Sequence, residues 1–262
     1  MEKELAAMKT KGVFELVPTE EMPSSKRALE TMWMFQIKTD EHGNVLRFRP
    51  RLCARGDKQQ PEVDFYSMDI YSPVARMASF RLFVALCNLL ALTPFQCDVD
   101  TAYLNAALQI THCIRYIAGF PLKKGWIYKV KHAMYGLHQS GREWYGQLNS
   151  WLNTYGWSRC TSEPCLYVFR NGDVFALLLV YVDDIICGTN NEAWKMSFFS
   201  KLNDKYGIKD QGKLHCYLGV QVDLTQEGAF LHQTKYAKDV LRRFGFEDAH
   251  GCRSPLDPNI KL

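Results

Sequence analysis

Two adjacent carboxylates that directly follow an apolar stretch have the clearest chemical potential in this sequence. Residues 174–182 are apolar, Asp183 and Asp184 come next, and residues 185–187 are apolar again. A hairpin with this pattern exposes acids only at its tip. Acids at the end of an apolar strand lose hydration and repel each other, and a bound divalent cation is the usual compensation. The pair by itself fits a solvated turn equally well, because Asp is common in turns.

A third acid occupies a comparable position earlier in the chain. Residues 95–99 predict a short strand that carries Asp98 near its end, just before a predicted helical turn at residues 101–108. Two acidic strand ends can converge on metal ions. Three carboxylates suffice to hold the two cations, about 4 Å apart, that two-metal nucleotidyl transfer needs. The sequence therefore predicts one metal site built from Asp98, Asp183 and Asp184.

The elements that must position these acids alternate between helical and strand patterns, which indicates an α+β fold. Turn-forming residues at 42–44 and 171–173 predict two hairpins. Helices are predicted at residues 2–11, 79–91, 141–155, 191–206 and 235–244, and strands at residues 33–37, 45–54, 95–99, 166–169, 175–182, 217–224 and 229–233.

The second arm of the first predicted hairpin is rich in arginine. Successive side chains of a strand alternate between its faces, so odd-numbered residues share one face if the strand is regular. Guanidinium groups on that face could bind phosphate oxygens through paired hydrogen bonds. Any single arginine could equally well serve only as a charge that keeps an exposed edge strand soluble. The residues concerned are Arg47, Arg49, Arg51 and Arg55.

Composition limits the class of protein without identifying it. The 262 residues are 47% hydrophobic, which is enough for one globular domain made of a few subdomains, and the net charge of +4 is only a mild bias toward polyanions. Nine cysteines without a C-x-x-C pair predict a reducing, cytoplasmic environment. The longest apolar run is too short to span a bilayer and the charged start is unlike a signal peptide, so no membrane association is expected.

Seven motifs in register resemble the reverse transcriptase domain of copia-type long-terminal-repeat retrotransposon polyproteins over nearly the full length. Any one of them is weak, but their order and spacing match that family. They are PRLCARGDKQ (50–59), YSPVARMASFRLFVAL (71–86), QCDVDTAYLNAAL (96–108), AMYGLHQSGREWY (133–145), LLVYVDDIICG (178–188), YLGVQV (217–222) and LHQTKYAKDVL (231–241).

The resemblance implies an RNA-directed DNA polymerase with a right-hand fold. Residues 1–94 and 109–140 would be fingers, residues 95–108 and 141–222 palm, and residues 223–262 primer grip and the start of a thumb. The implied cofactor is a pair of Mg²⁺ ions, with Mn²⁺ as a substitute. The implied partners are a primed RNA or DNA template, dNTPs and other parts of a Gag-Pol-type polyprotein, inside the cell or within virus-like particles.

The same resemblance assigns roles to individual residues. Asp98, Asp183 and Asp184 would bind metal together with the carbonyl of Val99, and Tyr103 would lie beneath the sugar of the incoming nucleotide. Without the resemblance, that tyrosine would be read as ordinary core. The implied nucleotide-binding residues are Arg49, Arg51, Ala102, Tyr103, Tyr135 and Gly136, and the implied nucleic-acid-binding residues are Arg47, Arg55, Gln139, Tyr181, Val182, Leu218, Gly219, Lys235 and Lys238.

Departures from the family pattern leave a second interpretation open. Ala106 stands where the family usually has Gly, Gly141 where it has Pro, and residues 110–117 lack the expected acidic, Tyr and Gln-Pro features. A catalytically inactive, nucleic-acid-binding remnant of a retrotransposon polyprotein would show such drift. A glycosidase-like hydrolase is disfavoured, because adjacent acids at a hairpin tip do not flank a substrate bond at the separation such enzymes need.

Overall fold

The computed structural model of the protein describes residues 1–39 and 45–251, so the predicted turn at 42–44 lies outside the described residues. The chain divides into two compact units, Met1–Leu214 and His215–Leu262. The described residues form a mixed α/β fold with antiparallel sheets and five α-helices. All five predicted helices are confirmed to within two residues at each end.

The helices and strands follow one another in this order: α1 Glu2–Thr10, β1 Phe14–Pro18, β2 Thr31–Thr39, β3 Val45–Ala54, α2 Met77–Leu89, β4 Thr93–Val99, β5 Ala107–Ile114, β6 Trp126–His132, α3 Ser140–Tyr155, β7 Ser158–Arg159, β8 Leu166–Asn171, β9 Val174–Tyr181, β10 Asp184–Thr189, α4 Glu192–Tyr206, β11 Ile208–Lys213, β12 Cys216–Tyr217, β13 Val220–Leu224, β14 Ala229–His232 and α5 Thr234–Arg243.

A six-stranded antiparallel sheet of order β11-β4-β10-β9-β8-β7 forms the centre of the first unit. One face of the sheet carries Cys97 and Ile185 and packs on α3 and α4. The buried side chains of these two helices include Trp144, Leu148 and Phe198. Because side chains alternate along a strand, Asp98 and Asp184 point to the opposite face. The helix α2 covers part of that opposite face, since a Cβ on Gly188 would overlap the thiol of Cys87. The acids therefore lie at the end of the face beyond Gly188.

A second group of elements in the same unit carries the arginine-rich hairpin. The sheet β1-β6-β5 packs with α1 around a separate apolar core, which also takes in Leu52 at the base of β3. In the β2–β3 ribbon, Arg51, Arg49 and Arg47 lie opposite Met34, Gln36 and Lys38, and the register shifts only beyond Lys38. The prediction that these three arginines share a face is confirmed, because no bulge interrupts the strand between them.

Arg55 does not belong to that face. β3 ends at Ala54, and the guanidinium of Arg55 pairs with the carboxylate of Asp57 at 2.7 Å. Two other boundaries were also predicted wrongly. The turn after Asp98 is a short 3-10 turn that gives way to β5 at Ala107, where pairing with β6 begins. The single strand predicted at 217–224 is a hairpin, because Leu218 and Gly219 both have positive φ, at 48° and 80°.

The base of the ribbon is fixed to the segment that carries Tyr135. The backbone N–H of Ala54 donates to the carbonyl of Tyr135 at 2.7 Å. The two backbone segments approach closely. A Cβ on Gly136, which has φ +93°, would overlap the carbonyl of Ala54, and a Cβ on Gly56 would overlap the carbonyl of Gly136. Only glycine allows this approach and this φ together.

Replacing Gly136 therefore tests how tightly the ribbon is attached. We expect Gly136→Ala to lower the free energy of unfolding by on the order of 3 kcal/mol, since it adds a backbone clash to an unfavourable φ. The matched control is Gly125→Ala, with φ +80° and no atom of residues 1–39 or 45–251 within 4 Å of the added Cβ, which should cost about 1 kcal/mol. Urea unfolding of both variants measures the difference, and equal losses would show that the close approach is not needed for stability.

Candidate metal and nucleotide site

The central sheet brings the predicted acids together at one end. Asp98 on β4 and Asp184 on β10 are direct partners across the antiparallel pair, so their side chains share a face. Asp183 precedes β10 in the turn from β9, and its carbonyl accepts a 2.8 Å hydrogen bond from the backbone N–H of Val99. The ladder and this additional bond hold the end of β4 against the turn.

The turn between β9 and β10 has an unfavourable backbone conformation. Tyr181 and Asp184 are paired, so Val182 and Asp183 form a two-residue loop. Val182 has φ +56°, a region that β-branched residues rarely adopt and that costs about 1–3 kcal/mol. The carbonyl of Val182 accepts a 2.7 Å hydrogen bond from the indole N–H of Trp144 on α3, from behind the sheet. Thr101, just after Asp98, also has a positive φ of 50°.

Burial and mutual repulsion both disfavour ionisation of these acids. The pKa of Asp184 rises to about 6, first because it is half-buried and then because Asp183 and Asp98 are close. The pKa of Asp98 is also raised, by burial and by Asp183, although Arg49 and Lys209 oppose the shift. A bound cation would favour the charged forms and reverse both effects.

The chemistry of the acids suits a hard divalent cation. Carboxylate and backbone carbonyl oxygens are the ligands that Mg²⁺ and Mn²⁺ prefer. Across residues 1–39 and 45–251, no three His, Cys, Asp or Glu side chains are already arranged around a common metal position. The donor types and the raised pKa values of Asp98 and Asp184 nevertheless fit the cations that the sequence predicts.

A cavity of about 270 Å³ opens beside the turn. The guanidinium of Arg51 lies 4.9 Å from the centre of the Tyr135 ring, and the rings of Tyr103 and Tyr135 are 5.2 Å apart. Arg51 and Tyr135 also line a neighbouring cavity of about 600 Å³ together with Arg49 and Gly136. The residues that line the smaller cavity are Arg51, Ala102, Tyr103, Tyr135, Val182 and Asp183. All six predicted nucleotide-binding residues thus line one of two cavities that share a wall.

Several predicted nucleic-acid-binding residues lie elsewhere. Gln139 is buried, and its amide is engaged by Gln59, His112 and the carbonyl of Asp64. Arg47 is exposed on the outer part of the ribbon. Tyr181 is partly exposed on the face of the acids. Four more belong to the second unit, and all four are exposed in it: Leu218, Gly219, Lys235 and Lys238.

Two residues near the acids were not predicted. Lys209 on β11 is the direct partner of Asp98 on the side away from β10, and its charge lowers the pKa of Asp98. The polar sequence of β11 has no strand pattern, so only the sheet order reveals this lysine. Trp144 lies within a recognised motif, but the helical spacing indicates only that it is a core residue.

The raised pKa of Asp184 predicts a pH-dependent effect on stability. A carboxyl whose pKa is higher in the folded than in the unfolded chain contributes stability at low pH, and that contribution is lost as pH rises through about 6. Without metal, Asp184→Asn should therefore raise the Tm by a few degrees at pH 8 and by much less at pH 4.

Thermal unfolding in EDTA at both pH values measures this effect. The matched control is Asp173→Asn, at the exposed tip of the β8–β9 turn, which should leave the Tm nearly unchanged. An Asp184→Asn variant with an unchanged or lower Tm at pH 8 would contradict the raised pKa of Asp184.

Comparison with known proteins agrees with the motifs. The family described as "Reverse transcriptase (RNA-dependent DNA polymerase)" matches residues 11–258. The chain is 31% identical over 267 residues to the Retrovirus-related Pol polyprotein from transposon TNT 1-94 of Nicotiana tabacum, with all of this chain and 20% of that protein covered. It is 30% identical over 264 residues to the Retrovirus-related Pol polyprotein from transposon RE1 of Arabidopsis thaliana, with all of this chain and 18% of that protein covered.

A yeast relative is more distant. The chain is 29% identical over 244 residues to the Transposon Ty1-BR Gag-Pol polyprotein of Saccharomyces cerevisiae, with 89% of this chain and 13% of that protein covered. The chain thus spans about a fifth or less of the length of the curated relatives it matches. None of the helices described here is long and apolar enough to cross a membrane. The resemblance to copia-type Pol polyproteins is confirmed, and the chain belongs to the reverse transcriptase (RNA-dependent DNA polymerase) family.

Proposed function

We propose that this chain is a catalytically active RNA-directed DNA polymerase that adds dNTPs to a primer 3′-hydroxyl on an RNA or DNA template. One observation carries the proposal: Asp184 lies opposite Asp98 in the strand register, and Asp183 sits in the adjoining turn, beside a cavity lined by Arg51 and Tyr103. Acids, arginine and aromatic rings are the groups that a nucleotide with its metal ions requires.

The three acids and the carbonyl of Val99 would hold the cations. When bound, two Mg²⁺ ions, or Mn²⁺ in their place, would supply the charge that activates the primer hydroxyl and stabilises the pyrophosphate leaving group. Any proton on Asp98 or Asp184 would have to leave before a cation binds, since the pKa values of both acids are raised. Metal binding should therefore release protons near pH 6 and below.

Arg51 and Arg49 would neutralise the triphosphate. They share a face of the β2–β3 ribbon, and Arg51 stacks on Tyr135, which restrains the guanidinium before a ligand arrives. A tetra-anionic triphosphate needs cations beyond two metal ions, and guanidinium forms paired hydrogen bonds with phosphate. Gly136 would contribute by allowing the backbone contact that fixes the base of the ribbon.

Nucleic-acid contacts are proposed for each unit by itself. We assign residues 1–94 and 109–140 to fingers, residues 95–108 and 141–222 to palm, and residues 223–262 to primer grip and the start of a thumb. Template and primer contacts would come from Arg47, Tyr181, Val182, Leu218, Gly219, Lys235 and Lys238. Gln139 is better explained as an internal support, because its buried amide binds other residues of the chain. Arg55 stays among the proposed contacts, and its guanidinium pairs with Asp57 at the surface. The chain would act inside the cell as part of a Gag-Pol-type polyprotein.

Two of the departures from the family pattern, Ala106 and Gly141, fit their surroundings and are compatible with activity. Ala106 is fully buried in the core behind the sheet. A Cβ on Gly141 would come 3.2 Å from the Cβ of Ser72, whose hydroxyl donates to the Gly141 carbonyl, so the small residue suits its surroundings. The inactive-remnant interpretation is therefore not favoured by these two positions.

Primer extension tests the proposal. The purified chain, with a primed RNA template, dNTPs and Mg²⁺, should extend the primer, and Asp183→Asn should lower the rate by about 100-fold or more, because a metal-binding carboxylate is lost. The exposed Asp173→Asn variant is the control and should keep wild-type activity. An inactive wild-type chain, or equal rates in all three proteins, would contradict the proposed function.

Tyr103 should select against ribonucleotides. It lines the cavity beside Asp183 and packs against Tyr135, where a ring would collide with a ribose 2′-hydroxyl. We expect Tyr103→Val to raise the efficiency of rNTP use by about 10-fold or more relative to dNTPs, whereas Tyr103→Phe keeps the ring and the selectivity. Single-nucleotide incorporation kinetics measure the ratio. An active Tyr103→Val variant with an unchanged ratio would show that the ring only packs.

A further inference from the structure

Both peptide planes that flank Asp183 are held by hydrogen bonds from different elements. The carbonyl of Val182, in the peptide before Asp183, accepts from the indole of Trp144 on α3 at 2.7 Å. The carbonyl of Asp183, in the peptide after it, accepts from the N–H of Val99 on β4 at 2.8 Å. The orientation of these two planes sets the direction in which the Asp183 side chain leaves the backbone.

The bond from Trp144 acts where the backbone most needs support. Val182 has φ +56° and would relax toward negative φ if its carbonyl were free to rotate. Packing does not prevent such a movement completely, since a cavity of about 90 Å³ lies beside the turn, lined in part by Tyr103, Trp144 and Val182. The hydrogen bond to the carbonyl is directional, so it restrains the conformation of the turn where packing alone would let it move.

Trp144 itself is firmly held. Its side chain is 2% exposed, and its ring packs edge-on against Tyr206 of α4 at 5.1 Å between centres. The indole nitrogen therefore has little freedom to follow a turn that moves. A donor that is fixed in this way can hold the more flexible turn in place, as the residues around a functional site generally do for its side chains.

We propose that Trp144 is a positioning residue for Asp183: its indole N–H holds the strained turn in the conformation that presents the carboxylate to the metal ions. This inference rests on the proposed polymerase function. The ring of Trp144 packs in the core, whereas its N–H positions the turn, and the two contributions can be separated by substitution.

The structure offers a matched control in Trp157. Trp157 is also 2% exposed and belongs to the same core, but its indole N–H has no hydrogen-bond partner among the residues that the structure describes. Trp144→Phe and Trp157→Phe thus remove similar buried volume, and only the first removes a bond to the turn. Replacing Trp144 with benzothienylalanine, in which sulfur takes the place of the N–H, keeps the ring shape and covers the case in which Trp144→Phe does not fold.

Three measurements on the full chain test the proposal. We expect loss of the Trp144 N–H to lower kcat for primer extension by about 10- to 100-fold with the dNTP KM nearly unchanged, as for a slightly misplaced reacting group. Mn²⁺ affinity, measured by calorimetry without substrates, should fall several-fold. Hydrogen exchange of the Val99 amide should become faster, because its acceptor belongs to the released turn. Trp157→Phe should leave all three near wild type.

The outcomes separate this inference from the proposed function. A wild-type chain without polymerase activity would overturn the polymerase proposal, while Mn²⁺ affinity and Val99 exchange would still report on the turn. Unchanged Mn²⁺ affinity and Val99 exchange in the benzothienylalanine protein would overturn the positioning role, whatever the activity. Equal effects in the Trp144 and Trp157 variants would also overturn it, since the cause would then be lost packing.

Discussion

Repulsion among three closely placed carboxylates is the interaction on which the rest of the site depends. Asp98 and Asp184 face each other across the two central strands, and Asp183 adjoins them in the turn. Beyond the effect of burial, the charge of Asp183 raises the pKa of both partners, and Asp98 adds to the rise at Asp184. Left alone, such a cluster would separate to lower its electrostatic energy. It stays together because the antiparallel ladder fixes both strands, and because the indole of Trp144 on α3 holds the strained turn at Val182 by a hydrogen bond.

The same constraint explains how positive groups are distributed around the acids. Lys209 flanks Asp98 on β11, and Arg49 reaches the same acid electrostatically from the ribbon. Arg51 is kept nearby by its stack on Tyr135, and glycine contacts fix the base of the ribbon to that segment. Arg49 and Lys209 lower the pKa of Asp98 without cancelling the rise that burial and Asp183 cause, which is compatible with the proposed binding of divalent ions.

Much of this architecture could be predicted from local pattern. Strand alternation correctly placed Arg47, Arg49 and Arg51 on one face, because the ribbon keeps its register over that length. Arg55 was misplaced because the strand ends one residue earlier, and Gln139 because its burial depends on three distant partners. The polar strand β11 was missed because it is held by pairing with β4 rather than by its own pattern.

Counting bound metal ions tests most directly whether the acids form a polymerase metal site. The chain would be bound to a primer-template with a dideoxy-terminated primer and the matching dNTP, and titrated with Mn²⁺ while free Mn²⁺ is followed by electron paramagnetic resonance. We expect about two tightly bound Mn²⁺ ions per chain, with at least one lost in Asp98→Asn and in Asp183→Asn. The same number of bound ions in the wild type and in both variants would contradict it.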